Sequence, residues 1–81
     1  METEESRACW RTRATRLINA ERILHGMSWD QIAEILKPYG VEDNGRNIAN
    51  KINRGTFSFA LALRILSALG VKSIDIDRFD D

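Results

Sequence analysis

The chain has 81 residues, of which 43% are hydrophobic and 30% charged, a composition typical of one small globular domain and not of a disordered segment. The formal net charge is zero, yet residues 6–74 contain eleven basic and five acidic residues, which gives that span a formal charge of +6. A single cysteine, Cys9, excludes an internal disulfide, and with only His25 beside it we expect no metal site and no cofactor. No recognisable motif places a nucleophile beside a base, so we expect no enzymatic activity.

The distribution of charge matters more than its sum. Seven of the twelve acids lie in the two tails, and residues 44–74 contain none. A phosphate-facing surface requires such an excess of basic charge, although acidic tails that solubilise a mildly basic domain give the same distribution. The chain lacks an apolar run of membrane-spanning length and begins with an acidic stretch unlike a signal peptide. We therefore expect a cytoplasmic protein that does not contact a membrane.

The first predicted helix covers about residues 7–25. Apolar residues recur there at three- and four-residue spacing, and Gly26 ends the helix. Residues 1–6 are expected to form a flexible acidic N-terminus, which leaves residues 7–81 as the single domain. The helix contains five arginines; some of them, with Arg16 as the candidate, are positioned to reach phosphates, while most are expected to be ordinary solvated charges.

The second helix begins at a capping box, Ser28-Trp29-Asp30-Gln31. Pro38 disfavours the helical conformation of the preceding residue, so the helix must end or kink there, and Gly40 can close it in a left-handed conformation. The link 40–43 follows. Either Asp43 or Asn44 is a natural N-cap for a third helix.

The third helix, residues 44–54, divides into two faces on a helical wheel. Ile48, Ala49 and Ile52 form one face, and the other is built from asparagine and arginine with no carboxylate. Asparagine and arginine pair with adenine and guanine edges in the major groove, and asparagine is a poor helix former, which favours a purpose beyond helix stability. An ordinary polar face rich in asparagine would show the same pattern.

The fourth helix is capped by Thr56 or Ser58 and runs to about Leu69, where Gly70 closes it. It is apolar nearly all round, so it is either central to the fold or covered by a partner. In a domain this small we favour a subunit interface. The tail, residues 73–79, alternates like a half-buried strand, but an irregular or short helical turn is equally compatible. The predicted dimer interface comprises Leu61, Ile65, Ala68, Ile74 and Ile76.

Three motifs carry a resemblance to a known superfamily. Residues 28–33 resemble the start of the second helix of lambda-repressor-like helix-turn-helix domains, residues 49–55 resemble the end of their recognition helix, and residues 66–71 match the close of their fourth helix. The resemblance implies a compact all-α domain of four to five helices, with a short C-terminal strand as an option. Residues 47–58 also resemble the signature of a small bacterial domain family of unknown activity.

The resemblance to the lambda-repressor-like superfamily also implies specific contacts with DNA. Its base-reading positions fall on Arg46, Asn47 and Asn50. The implied phosphate contacts are Lys51, Arg54, Thr56, the backbone amides near Ser28 and Trp29, and Arg16. The chain departs from the superfamily in the link between the second and third helices, which is longer than the usual tight turn. Within that link Glu42 and Asp43 are expected to act as helix caps that point away from DNA.

Two functions follow as expectations. The first is a sequence-specific protein that binds double-stranded DNA as a homodimer, a transcriptional regulator of bacterial or phage and plasmid type. The second is a helical module that binds a protein partner, antitoxin-like or an adaptor, and keeps the fold without specific DNA binding. Net neutrality and the modified link favour the second. Trp10 and Trp29 are its candidate anchors, although a tryptophan in a small domain more often belongs to the core.

Overall fold

The computed structural model describes residues 2–76, and that range folds into four α-helices with no β-strand. The predicted all-α class is confirmed. Helices α1, α2, α3 and α4 span Glu4–Leu24, Trp29–Leu36, Gly45–Arg54 and Phe59–Leu69, and a single 3₁₀ turn follows α2 at Lys37–Tyr39. Residues 71–75 are irregular and Ile76 lies in a helical turn, so the strand alternative is wrong for this part of the tail. The rest of that predicted strand lies outside the described residues.

Helix α1 begins earlier than the sequence pattern predicts. The Thr3 hydroxyl accepts a hydrogen bond from the Ser6 amide at 3.0 Å, and the helix starts at Glu4. The carboxylates of Glu4 and Glu5 in the first turn interact favourably with the positive end of the helix dipole. Glu4 also accepts a 2.7 Å hydrogen bond from Arg11, which lowers the pKa of its carboxyl. The prediction that residues 4–6 belong to a flexible terminus is therefore wrong.

The caps of the other helices settle the alternatives that the sequence left open. The capping box of α2 is confirmed, with Gln31 N to Ser28 Oγ at 3.1 Å and Ser28 N to Gln31 Oε1 at 2.8 Å. Asn44, and not Asp43, is the N-cap of α3, and Ser58, and not Thr56, is the N-cap of α4. Each helix start is thus fixed by a side chain that satisfies an unpaired backbone amide.

The core takes residues from every helix. Its six fully buried large side chains are Ile18, Ile32, Leu36, Ile48, Ile52 and Ile65. Helices α2 and α3 pack against each other, α1 covers α3, and both α1 and α2 cover α4. The apolar face predicted for α3 is therefore confirmed, since Ile48 and Ile52 are its two fully buried side chains.

Helix α4 is central to the fold. Ile65 is fully buried in the chain's own core, and Leu61 and Ala68 are half-buried against that core. The assignment of Ile65 to a subunit interface is wrong, and Leu61 and Ala68 offer little surface to a partner. Of the two alternatives that the sequence left open for α4, the central position is the one observed, because α1 and α2 both pack on α4 and bury it even in a domain this small. Its exposed large side chains are Phe59 and Leu63.

Two glycines fix the position of α3. A methyl group on Gly45 would lie 2.7 Å from both the Asp30 nitrogen and the Trp29 carbonyl carbon, so α3 begins directly against the start of α2. At the other end, a methyl group on Gly55 would lie 2.5 Å from the Arg11 carbonyl oxygen in α1. The Thr15 hydroxyl also donates a 2.6 Å hydrogen bond to the Ile52 carbonyl. The link after α2 therefore returns along that helix, which differs from a tight helix-turn-helix connection.

Gly55 and Gly70 provide a matched test of this docking. Both follow a helix in the left-handed conformation, at φ 71° and 81°, but only Gly55 touches another helix. Gly70→Ala should lower the free energy of unfolding by about 1 kcal/mol through backbone strain alone. Gly55→Ala should cost roughly 1–3 kcal/mol more, because the added methyl group meets the backbone of α1. If urea denaturation gave equal decreases in the free energy of unfolding for the two variants, the close contact of Gly55 with α1 would be contradicted.

Candidate nucleic-acid interface

The polar face of α3 lies on the surface of the domain. Arg46, Asn47, Asn50, Lys51 and Arg54 are all exposed, while Ile48 and Ile52 on the opposite face are fully buried. The burial of one face explains why the exposed residues keep a fixed register: rotating the helix would expose the isoleucines. Helix α3 thus presents its asparagines and arginines on a rigid support.

Three residues of this face form a row in which each is four residues from the next: Arg46, Asn50 and Arg54. Neighbours at this spacing lie on one side of a helix, about 6 Å apart, so the row extends over about 12 Å. Within residues 2–76 none of the three forms a side-chain hydrogen bond or an ion pair. Their donors are available to a ligand. We call Arg46, Asn50 and Arg54 the open row.

Asn47 and Lys51 lie beside the open row but are held by Asp43. Asp43 Oδ1 accepts from Asn47 Nδ2 at 2.9 Å, and its Oδ2 accepts from Lys51 Nζ at 3.0 Å. The Asn44 backbone amide donates to the same carboxylate at 2.9 Å. These bonds, that from Asn47 first, lower the pKa of the Asp43 carboxyl from its ordinary value. The expectation that Asp43 caps the helix and points away is wrong, because Asn44 is the cap and Asp43 turns onto the polar face.

The absence of acids from residues 44–74 therefore does not make the surface around α3 free of acids. Asp43 reaches forward from the link onto the second turn of the helix. Asp30 lies against Gly45 at its start. A linear count misses both, since each carboxylate comes from a segment that the fold brings beside α3.

Arg54 lies between two open depressions. One depression, of about 590 Å³, is bounded by the link, the loop after α3 and the start of α4. Its lining includes Thr56, Arg64 and the two link carboxylates, Glu42 and Asp43. The other, of about 410 Å³, lies between α1 and the end of α3 and brings Arg16 beside Arg54. The structure thus places the predicted residues Arg16, Arg54 and Thr56 in one region.

Arg64 is a member of this region that the motifs did not identify. It is exposed, lines the same depression as Arg54, and forms no ion pair within residues 2–76. One signal was present in the sequence: Arg64 is the only charged residue of α4, a helix otherwise composed of apolar residues and Ser67. A lone charge in such a helix marks the side that faces solvent.

The predicted phosphate contacts at the start of α2 fit less well. The Ser28 amide already donates to Gln31 Oε1, so it is not available to a phosphate. Trp29 is half-buried against the core, and the Arg22 guanidinium lies over its ring at 4.7 Å from the centroid. The prediction of a phosphate contact by the Ser28 amide is wrong because the capping box consumes that donor. Trp29 is part of the core packing, which also removes it as a partner anchor.

A separate apolar cleft of about 300 Å³ lies between α1, α4 and the tail. Its exposed members are Trp10, Phe59, Ile74 and Ile76, with exposed fractions of 53%, 72%, 37% and 69%. Two residues of the predicted dimer interface, Ile74 and Ile76, are thus exposed beside aromatic side chains. We call these four residues the apolar patch.

Other kinds of site are poorly represented in the described chain. Across residues 2–76, the His, Cys, Asp and Glu side chains form no group of three or more that could hold a metal ion. Cys9 is exposed and unpaired. None of the helices in that range is long and apolar enough to cross a membrane.

Comparison with known proteins identifies the family. A family model described as a domain of unknown function, DUF6471, matches residues 10–74, so the chain belongs to this family. The match includes α1 from Trp10 onwards, the whole of α2, α3 and α4, and the first part of the tail. No curated protein and no solved structure matches the chain significantly.

The hydrogen bonds between Asp43 and α3 predict that the free energy of unfolding depends on pH in the acid range. Because the folded-state pKa of Asp43 is lowered, its contribution to stability is fully present above the unfolded-state pKa of about 4 and is lost as the pH falls through the folded-state pKa. Thermal unfolding should therefore show that Asp43→Ala is less stable than the wild type at about pH 6 and that the difference shrinks towards about pH 2.

Glu42→Ala is the matched control, since Glu42 is the neighbouring carboxylate and donors of α3 bind Asp43 instead. A difference between Asp43→Ala and the wild type that is independent of pH would contradict an ionised Asp43 bound to Asn47 and Lys51.

Proposed function

We propose that this member of the DUF6471 family is a sequence-specific protein that binds double-stranded DNA and regulates transcription, with α3 as the recognition helix. It would act in the cytoplasm of a bacterial cell, on chromosomal, phage or plasmid DNA. The proposal assigns base reading to Arg46 and Asn50 from the open row, with Asn47 beside them. Arg54, Thr56, Arg16 and the newly identified Arg64 are assigned to phosphates.

The open row is the single observation that carries the proposal. The diameter of a helix with its side chains, about 10–12 Å, matches the width of the major groove, which is about 12 Å, and the open row extends along the helix axis over about 12 Å. Arginine pairs with the O6 and N7 atoms of guanine, and asparagine pairs with adenine. A solvated helix face usually mixes acidic with basic residues. In the open row, by contrast, the two guanidinium groups form no ion pair and the amide forms no side-chain hydrogen bond within residues 2–76.

The arginines around the end of α3 supply the nonspecific part of binding. Arg54 and Arg64 line one depression, and Arg54 and Arg16 line another, so cationic side chains from α1, α3 and α4 surround one end of the recognition helix. Phosphate contacts of this kind position a protein on the duplex and release counterions, which makes affinity depend on salt.

A dimer is part of this proposal. Each copy has one candidate recognition helix, α3, and the recognition helices of a two-fold dimer enter successive major grooves about 34 Å apart, so one copy reads only one half-site. The apolar patch is the surface that we assign to the second copy, since it gathers two aromatic and two aliphatic exposed side chains around one apolar cleft. Association through it would join two recognition helices in one molecule.

The apolar patch also supports a second candidate function. Exposed aromatic side chains next to an apolar cleft are typical of a surface that binds a protein. The domain would then be an interaction module, antitoxin-like or an adaptor, that does not read DNA. The two candidates differ in which surface carries the activity: α3 for DNA, or the apolar patch for a protein partner.

Variants of the open row test DNA binding directly. After selection of a preferred duplex from a random-sequence library, Arg46→Ala and Asn50→Ala should each weaken binding to that duplex by about tenfold or more, because each removes a base contact. Asn53→Ala is the control, since Asn53 is an asparagine of the same helix that accepts a bond from Asn19. Equal binding by Asn50→Ala and the wild type would remove Asn50 from the interface.

The salt dependence tests the phosphate contacts. The slope of log K against log salt is negative, and we expect Arg54→Gln and Arg64→Gln each to make it less steep by about 0.9. Lys37→Gln should leave the slope unchanged, since Lys37 already pairs with Glu34 at 2.9 Å at the end of α2. Binding that does not weaken as salt rises would contradict the proposed function.

The dimer has its own test. Phe59→Ser should shift the sedimentation-equilibrium mass from that of a dimer towards that of a monomer, while changing the free energy of unfolding by no more than about 0.5 kcal/mol, because the side chain is 72% exposed. Ile23→Ser is the control, as Ile23 is a similarly exposed apolar residue, 65%, outside the apolar patch. A monomeric wild type at micromolar concentration would contradict the dimer and favour a different protein partner for the patch.

A further inference from the structure

We propose that Asp43 is a positioning residue for base reading: it holds the Asn47 amide in the orientation that reads adenine, while Lys51 holds Asp43 and does not bind a phosphate. The inference rests on the proposed function. The sequence assigns Lys51 to a phosphate contact and Asp43 to a helix cap that points away from DNA, and the inference changes both roles. It also adds Asp43, a carboxylate on the link, to the DNA-reading apparatus.

The chemistry of the two groups fixes the orientation of the amide. An ionised carboxylate accepts hydrogen bonds and cannot donate, so the atom of Asn47 that approaches Asp43 Oδ1 at 2.9 Å must be the amide nitrogen. The bond uses one of the two N–H groups of that nitrogen. The second N–H and the amide oxygen remain, and this donor and acceptor pair is what adenine N7 and N6 require.

The backbone of α3 restricts Asn47 as well. Its amide N–H donates to the Asn44 side chain at 2.8 Å, which places Asn47 in the capped first turn of the helix. The N-terminal residues of a recognition helix are those that approach base edges. Asn47 therefore has a fixed backbone, a fixed side-chain orientation and an exposed amide before DNA arrives, which reduces the entropy lost on binding.

Lys51 completes the arrangement by holding the other oxygen of Asp43. Its ammonium group lies 3.0 Å from Asp43 Oδ2, and only 19% of the Asp43 side chain is exposed. The positive charge compensates a carboxylate that would otherwise repel the DNA backbone. A lysine committed in this way contributes little to counterion release, so its role differs from that of Arg54, which forms no ion pair within residues 2–76.

A double-mutant cycle on base preference tests the inference. The full chain and its Asp43→Ala, Asn47→Ala and doubly substituted forms are each used to select binding sites from a random-sequence duplex library. The base pair read by Asn47 is the one whose preference Asn47→Ala abolishes. We expect Asp43→Ala to reduce the preference for adenine there by about fivefold or more, the lower end of what one bidentate amide contact provides. It should leave other positions unchanged and add nothing in the Asn47→Ala background.

Glu42→Ala is the matched control because it removes the adjacent carboxylate of the same link, and its base preference should equal that of the wild type. Circular dichroism checks that each variant is folded; should Asp43→Ala fail to fold, Asp43→Leu takes its place, because leucine has a similar shape and cannot accept the bond from Asn47. An unchanged preference in the Asp43 variant, or an equal loss at every position, would overturn the inference. A wild type that selects no sequence overturns the proposed function and this inference together, whereas a selective wild type with an unaffected Asp43 variant overturns the inference alone.

Discussion

The close contact of α3 with its neighbours at both ends is the constraint on which the rest of the structure depends. Gly45 lies against the start of α2, Gly55 lies against Arg11 in α1, and between them Ile48 and Ile52 are buried. Neither glycine leaves room for a side chain, so the helix can neither slide nor rotate without a clash or the exposure of an isoleucine. The polar side chains of α3 are therefore held in one register, which a surface that reads bases needs before its ligand binds.

The electrostatics of the surface follow from that register. Arg46, Asn50 and Arg54 extend along the exposed side without partners in the described chain, while Asp43 binds Asn47 and Lys51 beside them. Arginines from three helices gather around one end of α3. The apolar patch lies between α1, α4 and the tail, so the surfaces that we assign to DNA and to a second copy are formed by different residues. The two proposed activities therefore do not compete for the same residues.

Much of the fold could be predicted from the sequence because its signals are local. Ser28 with Gln31 forms a capping box through neighbouring residues, and the glycines at 40, 55 and 70 end their elements in the left-handed conformation. The failures concern contacts between segments distant in sequence. Burial of Ile65 depends on α1 and α2 covering α4, and the docking of α3 depends on two glycines meeting other helices. The position of Asp43 depends on how the link approaches α3, which no periodicity encodes.

Mapping the bound surface by NMR is the most direct test of whether the open row of α3 contacts DNA. Backbone and side-chain amide spectra of the full chain are compared before and after addition of a mixed-sequence DNA duplex at low salt. Contact through the open row should give the largest shifts at Arg46, Asn50 and Arg54, with further shifts at Arg64, while Trp10 and Phe59 change little. Shifts confined to the apolar patch, or none at saturating duplex, would contradict it.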